Sequence, residues 1–142
     1  MYLCSFKPYL VLLAYADWQN QANDQDQTTF AAVVGKTGKK WHGGIEVFTQ
    51  TLKSQPGGNL SRQGISVFGA KKVRKNTKAF ARVDVYDPNT DADNDRKSLI
   101  IGGVDIEPTK GIHFMPNVWI MADDRAGVDT TVMPRVTGYF KF

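Results

Sequence analysis

The chain has 142 residues, a formal net charge of +4 and a charged fraction of 23 %. That length fits one domain or part of one. The single cysteine, Cys4, excludes an internal disulfide framework and a Cys-based zinc cluster. No apolar run approaches the ~18 residues of a membrane-spanning helix, and the 13 glycines and 11 % aromatics favour many strands joined by tight turns.

The first apolar stretch in chain order, YLVLLAYA at 9–16, has two interpretations. It is the first strand of a sheet, or it is the core of a secretory signal peptide with Ala-Tyr-Ala as the cleavage site. Only Lys7 precedes it as a basic residue and Pro8 opens it, so the strand interpretation is favoured. On that interpretation the chain carries no export signal, and an exported protein has its true N-terminus further upstream.

Apolar and polar side chains alternate with period two along the rest of the chain, as in strands with one apolar face. In KWHGGIEVFTQ, for example, Ile45 and Val47 oppose Glu46 and Phe48. The same alternation occurs in KAFARVDVYDP, SLIIGGVDIEP, GIHFMPNVWIMADD and VMPRVTGYFKF. The pattern predicts about eight strands. They lie at roughly 7–17, 28–36, 40–51, 63–72, 77–87, 97–107, 112–123 and 131–142.

The connections between these strands alternate in length. Short basic turns, GKTGKK, VRKNTK and EPTKG, alternate with longer polar loops, DWQNQANDQDQT, TLKSQPGGNLSRQ, DPNTDADNDRKS and DDRAGVDT. In an antiparallel meander this gives one end short turns and the other end long loops, the layout of a bacterial outer-membrane barrel. The strands also reach the ~9–11 residues that a tilted transmembrane strand needs. The predicted fold is therefore all-β, an antiparallel up-and-down transmembrane β-barrel.

Alternation alone does not say which face meets water, because a soluble lipocalin-like barrel that binds an apolar ligand also alternates. The apolar face, however, stays apolar for the full length of each strand, while the other face mixes charged side chains with aromatics. Large aromatic residues also lie near the strand ends, where they predict a membrane girdle. These residues are Trp18, Trp41, Phe140 and Phe142.

The last predicted strand resembles the C-terminal signature of bacterial outer-membrane β-barrel proteins. That signature ends on Phe, with an aromatic residue two positions earlier and apolar residues alternating upstream. The matching positions are Phe142, Phe140, Gly138, Val136, Pro134 and Val132. FARVDVYDPN, followed by LIIGGVDIEPTKGIHFMPNVWI, resembles the penultimate hairpins of porin-type channels, and the likeness is clear over about 63–142. The resemblance implies that the terminal strand, with Phe140 and Phe142, is an assembly signal read by the barrel-assembly machinery.

Two prolines depart from the strand pattern. Pro116 and Pro134 fall inside predicted strands, where each removes one donor from the hydrogen-bond ladder. We expect a bulge or a strand end at each position.

Six charged residues are predicted to line a water-filled pore and to control ion passage, since rings of charge impose electrostatic barriers. They are Glu46, Arg82, Asp84, Asp105, Glu107 and Arg135. The alternative is a salt-bridge network that fills a narrow barrel. It is favoured if the barrel closes with only eight strands, because side chains just fill such an interior.

The sequence predicts no catalytic or metal-binding residue and no cofactor. DADND at 91–95 has the one, three, five spacing of a calcium loop, but Arg96 and Gly102 replace the Gly and Glu that an EF-hand requires. His42 and His113 lack ligand-spaced partners and are interpreted as satisfied lumen residues. No nucleophile elbow or phosphate loop is present. The basic run KKVRKNTK is interpreted as a turn near lipid headgroups or in water and not as a nucleic-acid site.

The sequence therefore predicts that 1–142 is β-barrel, the C-terminal portion of a larger porin-like channel of the bacterial outer membrane. The expected function is passive diffusion of ions or small polar solutes, without catalysis. Expected partners are the lipid bilayer, the barrel-assembly machinery and small polar solutes. Association with copies of itself is left open. The alternatives are a complete, non-conducting eight-stranded barrel with a structural or loop-mediated binding role, and the soluble lipocalin-like barrel.

Overall fold

The computed structural model describes residues 2–6, 10–20, 26–55 and 58–141, and side chains over 10–20, 26–53 and 58–141. Nine strands make up most of these residues. They are β1 (Tyr2–Phe6), β2 (Leu10–Gln19), β3 (Gln27–Thr37), β4 (Trp41–Gln55), β5 (Gly58–Arg74), β6 (Thr77–Asp87), β7 (Lys97–Thr109), β8 (Ile112–Asp123) and β9 (Thr131–Phe140). The described part of the chain contains no helix that is long and apolar enough to cross a membrane.

The nine strands form one sheet in chain order, and each strand pairs antiparallel with the next. The predicted all-β, up-and-down antiparallel arrangement is confirmed. Among the described residues no ladder joins β1 to β9, so the sheet is open. The eight predicted strands correspond to β2–β9. The short β1 was not predicted, and it pairs with β2 from Phe6↔Leu10 to Tyr2↔Ala14.

The predicted loop at 52–62 is wrong, because strand structure fills most of it. β4 and β5 continue pairing to Gln55↔Gly58, after an irregularity beyond Leu52. The paired side chains there include polar ones, such as those of Thr51 and Ser61. Backbone hydrogen bonds between the strands therefore support the extension, without an apolar face. Lys53 also donates its backbone N–H to the Asp26 carbonyl at 2.8 Å, which ties this hairpin to the start of β3.

The other connections follow the predicted asymmetry. Residues 38–40, 75–76 and 110–111 make short turns at one end of the sheet, which we call the short-turn end. Residues 88–96 and 124–130 make longer loops at the opposite end, the long-loop end.

The cross-strand register separates the side chains into two faces. One face carries a continuous row of directly opposed residues across eight strands: Leu12, Val34, Ile45, Val67, Val83, Ile100, Ile120 and Val132. We call this side the aliphatic face. The opposite side, where Glu46, Ser66 and Asp84 are opposed, is the charged face.

The aliphatic face is not covered by any other part of the described chain. None of the described apolar side chains is buried, and the buried residues are the polar Ser66, Asp87 and Asn117. Large exposed apolar residues include Val34, Ile45, Val67, Val83 and Ile100, at 43–49 % of their full exposure. Exposed aliphatic residues together with three buried polar residues reverse the usual distribution in water-soluble domains.

Both prolines lie within strands, and the register passes each of them without a shift, so the expectation of a bulge or a strand end at each position is wrong. Pro134 is in β9, the edge strand, where a missing donor is tolerated. Pro116 lies in the interior strand β8, and its pairing with β9 is regular. The paired positions of β7 and β8 pass from Gly103↔Asn117 to Ile106↔Phe114, without a Val104↔Pro116 pair. The lost donor therefore interrupts the β7–β8 ladder.

Candidate functional site

The six residues predicted to line a pore all lie on the charged face, where they form three separate groups. In the first group, Arg82 on β6 donates from Nε to the Asp84 Oδ1 at 2.7 Å and to Oδ2 at 3.0 Å. The Arg82 Nη2 lies 3.9 Å from Glu46 Oε2 on β4. Residues two apart on a strand share a face, so Arg82 and Asp84 meet within one strand. Glu46 reaches them across β5.

This first group borders a cavity of about 280 Å³. Ser66 lies between Glu46 and Asp84 in the register and is only 5 % exposed, and its hydroxyl has no hydrogen-bond partner within the described part of the chain. The rings of Phe48 and Tyr86 stack nearby, with centroids 6.1 Å apart. The cavity therefore combines paired charges, a buried hydroxyl and an aromatic wall.

The second group lies at the short-turn end and contains Asp105 and Glu107. His113 Nδ1 is 2.7 Å from Asp105 Oδ1 and His113 Nε2 is 3.9 Å from Glu107 Oε1. Lys78 Nζ is 3.8 Å from the second Asp105 oxygen, and Glu107 accepts the backbone N–H of Gly111 at 3.2 Å. The two-residue turn at 110–111 brings His113 back against both carboxylates. His113 is thus a satisfied histidine on the charged face, as its sequence context predicted.

Arg135 on β9 stands apart from both carboxylate groups. Its guanidinium carbon lies 4.4 Å from the centroid of the Trp119 ring on β8, a cation–π contact. The facing residue on β8 is Asn117, which donates to its own strand at the Met115 carbonyl, 2.8 Å away. The contact with Trp119 was not predicted, because the sequence indicates a shared face and neighbouring strands but not the register between them.

Three of the four predicted girdle residues are described, and all three lie on the aliphatic face. Trp41 and Phe140 are at the short-turn end and are 46 % and 59 % exposed, and Trp18 is near the other end and is 67 % exposed. Phe142 lies outside the described residues. The girdle role of these four residues and the assembly-signal role of Phe140 and Phe142 stay predictions.

At the long-loop end, outside the aliphatic face, Arg125 fixes the start of the 124–130 loop. Its Nε and Nη2 donate to the two Asp123 carboxylate oxygens at 2.8 and 2.6 Å, and its backbone N–H donates to Oδ1 at 3.1 Å. These hydrogen bonds, first from the side chain and then from the backbone of Arg125, lower the pKa of Asp123 to about 2.

Within the described ranges, no group of three or more His, Cys, Asp or Glu side chains is arranged to hold a metal ion. Comparisons with models of protein families, with curated proteins and with solved structures found no match for this chain.

Proposed function

We propose that the chain is a transmembrane β-barrel segment of the bacterial outer membrane, and that the barrel it forms is a porin-like channel for passive diffusion of ions or small polar solutes. One observation carries this proposal. Large aliphatic side chains are exposed across one face, whereas the Glu46–Arg82–Asp84 and Lys78–Asp105 ion pairs lie on the opposite face.

The extent of the exposed aliphatic face supports contact with lipid. Soluble monomers rarely expose contiguous apolar patches larger than a few hundred Å², and this face is continuous from β2 to β9. Contact with lipid tails removes this apolar area from water. The removal stabilises the sheet by roughly 25 cal/mol for each Å². The soluble lipocalin-like alternative requires the opposite arrangement, in which the chain covers its own aliphatic residues.

The height of the aliphatic face also fits a bilayer. On β4 it runs from Trp41 to Val47, and on β8 it runs from Ile112 to Ile120. These segments of seven and nine residues are roughly 23–30 Å long at about 3.3 Å per residue, and a strand tilt of about 35–45° makes their height roughly 16–25 Å. The apolar band of an outer-membrane barrel is ~25 Å tall.

A hydrocarbon environment would not tolerate the open edges of β1 and β9, because unpaired backbone groups each cost several kcal/mol there. The proposal therefore includes pairing of these edges in the membrane, with one another or with further strands. Closure would turn the charged face inward, and Glu46, Arg82, Asp84, Asp105, Glu107 and Arg135 would then line the lumen.

A second candidate is a narrow, non-conducting barrel. The mutual pairing of Arg82 with Asp84 and Glu46 and the Phe48–Tyr86 stack favour it, because such groups fill a lumen of about eight strands.

Conductance across a planar bilayer separates the two candidates. The channel proposal predicts stepwise currents from the full-length gene product refolded into detergent and added to the bilayer. Arg82→Gln should shift the reversal potential in a salt gradient towards cation preference, because it removes one positive charge from the lumen. The matched control is Arg125→Gln. Arg125 lies in the loop at the long-loop end and not in the lumen, so its replacement should shift the reversal potential less. Protein that inserts but never conducts would refute the channel and leave the narrow barrel.

A further inference from the structure

Two lysines flank a tryptophan where the aliphatic face meets the short-turn end. Trp41 begins β4, and Lys71 on β5 is its direct cross-strand partner. Lys36 on β3 places its Nζ 5.9 Å from the centroid of the Trp41 ring. All three side chains are exposed. We call them the Lys-Trp-Lys cluster.

The turn at 38–40 fixes the tryptophan in this position. Gly38 donates its backbone N–H to the Trp41 carbonyl at 2.7 Å. The indole lies so close to the turn that a Cβ at Gly38 would be 3.3 Å from Trp41 Nε1. Lys72 donates its backbone N–H to the Lys40 carbonyl at 2.6 Å, so the turn is also tied to β5. The backbone of the turn is thus tied to β5, and the Trp41 ring lies against the turn.

The charges of the two lysines in the cluster are not paired within the described part of the chain. Within the described ranges, neither Lys36 nor Lys71 has a carboxylate at ion-pair distance. The carboxylates at this end are Asp105 and Glu107, both on the charged face, where Lys78 and His113 engage them. Among the described residues, ten lysines and arginines lie at the short-turn end: Lys36, Lys39, Lys40, Lys71, Lys72, Arg74, Lys75, Lys78, Lys110 and Lys141. This end therefore presents uncompensated positive charge beside an apolar surface.

A shallow apolar groove begins at the cluster and runs along the aliphatic face. It has a volume of about 550 Å³, and Trp41 and Lys71 border it at one end. Its floor on this face is made of small residues, Gly43, Gly69, Ala79 and Ala81. Gly43, Gly69 and Ala81 are consecutive cross-strand partners, so three adjacent strands leave room for a chain of methylene groups.

We propose that the Lys-Trp-Lys cluster and this groove bind one phospholipid with an anionic headgroup. The proposal rests on the proposed membrane location. Lys36 and Lys71 hold the phosphodiester, the Trp41 ring lies at the level of the glycerol, as interfacial tryptophans do, and an acyl chain occupies the groove. The unpaired charge of the two lysines selects an anionic over a zwitterionic lipid. The groove favours a lipid over free phosphate, because inorganic phosphate would leave it empty.

Quenching of Trp41 fluorescence by brominated lipid tests this proposal. Trp18→Phe and Trp119→Phe together leave Trp41 as the only tryptophan. This protein is refolded into phosphatidylcholine vesicles that contain either acyl-brominated phosphatidylglycerol or acyl-brominated phosphatidylcholine. We expect brominated phosphatidylglycerol to quench Trp41 preferentially. The preference should be about five-fold for each lysine, since a basic residue at an anionic surface contributes ~1 kcal/mol.

Substitutions in the same background locate the site. Lys36→Gln with Lys71→Gln should abolish the preference for phosphatidylglycerol, whereas Lys97→Gln, at the long-loop end, should keep it. Ala81→Leu fills the groove and should reduce quenching by both lipids. Ala122→Leu, on the aliphatic face outside the groove, should not. Resistance of the folded protein to added protease verifies insertion of each variant.

The outcomes separate this inference from the proposed function. Equal quenching by the two lipids in an inserted, protease-resistant protein would overturn the lipid site and leave the membrane barrel standing. Loss of the preference in Lys97→Gln as well, or its survival in the Lys36/Lys71 variant, would also overturn the site. Absence of quenching by either lipid, together with full protease sensitivity, would overturn both.

Discussion

At the scale of single residues, charge pairs within one strand are predictable and pairs between strands are not. Arg82 and Asp84 are two residues apart, so the strand period alone predicts that they share a face and meet. The approach of Glu46 to Arg82, and of Arg135 to Trp119, depends on register. Register is set by turn geometry and by pairing along whole strands, which residue types at a given spacing do not specify.

The Asp123–Arg125 contact gives a prediction at this scale. The folded-state pKa of Asp123 is about 2, below the ordinary value of 3.8. The contact therefore stabilises the folded loop at pH above about 3.8, and this contribution is lost as the pH falls through about 2. NMR titration of the Asp123 carboxyl carbon should give a midpoint near 2 in the wild type and near 3.8 in Arg125→Gln. A midpoint near 3.8 in the wild type would contradict the contact.

At the scale of strands, the alternating pattern predicted β4 and β6–β9 most clearly, because each has one aliphatic face, whereas β2 was predicted from its apolar run. The pattern failed for the outer part of the β4–β5 hairpin, which has no aliphatic face and is held by backbone pairing. The short β1 was also missed. The side chains of a strand carry the periodic signal, so a polar or very short strand leaves little of it in the sequence.

The packing of β6, β7 and β8 gives a second prediction, on two adjacent glycines of β7. A Cβ at Gly103 would lie 2.6 Å from the Pro116 carbonyl oxygen, 2.6 Å from Asn117 Cβ and 2.8 Å from Phe80 Cζ, whereas a Cβ at Gly102 meets nothing within 4 Å. Gly103→Ala should lower the free energy of unfolding by about 1–3 kcal/mol, the usual cost of overpacking. Gly102→Ala should change it by at most about 1 kcal/mol. Guanidinium unfolding in detergent micelles measures both, and equal effects would refute the close approach at Gly103.

At the scale of the whole molecule, the sequence predicted which residues share a face and that the sheet is a meander. It did not predict that the sheet is open between β1 and β9. Edge pairing depends on the curvature and stagger of the complete sheet, and no local pattern encodes these.

The orientation of the two faces gives a third prediction, on neighbouring residues of β7. Ile100 is on the aliphatic face, and Leu99 is on the charged face opposite Asp84. In lipid vesicles Ile100→Arg should lower the free energy of unfolding by about 1–4 kcal/mol, because the cost of a lipid-facing charge rises from about 0–1 kcal/mol near the interface to about 2–4 kcal/mol at the midplane. Leu99→Arg should cost less, because Asp84 can pair with the new guanidinium. If the aliphatic face met water, Ile100→Arg would change stability by only about 0.5 kcal/mol.

Spin labelling along β6 tests most directly whether the aliphatic face contacts hydrocarbon. Single cysteines at positions 80 to 85, in a Cys4→Ser background, carry a nitroxide whose collisions with oxygen and with a water-soluble nickel chelate are measured in vesicles. We predict that collisions with oxygen are the more frequent at positions 81, 83 and 85, and that collisions with the chelate are the more frequent at positions 80, 82 and 84. Frequent chelate collisions at 81, 83 and 85 would contradict the membrane orientation.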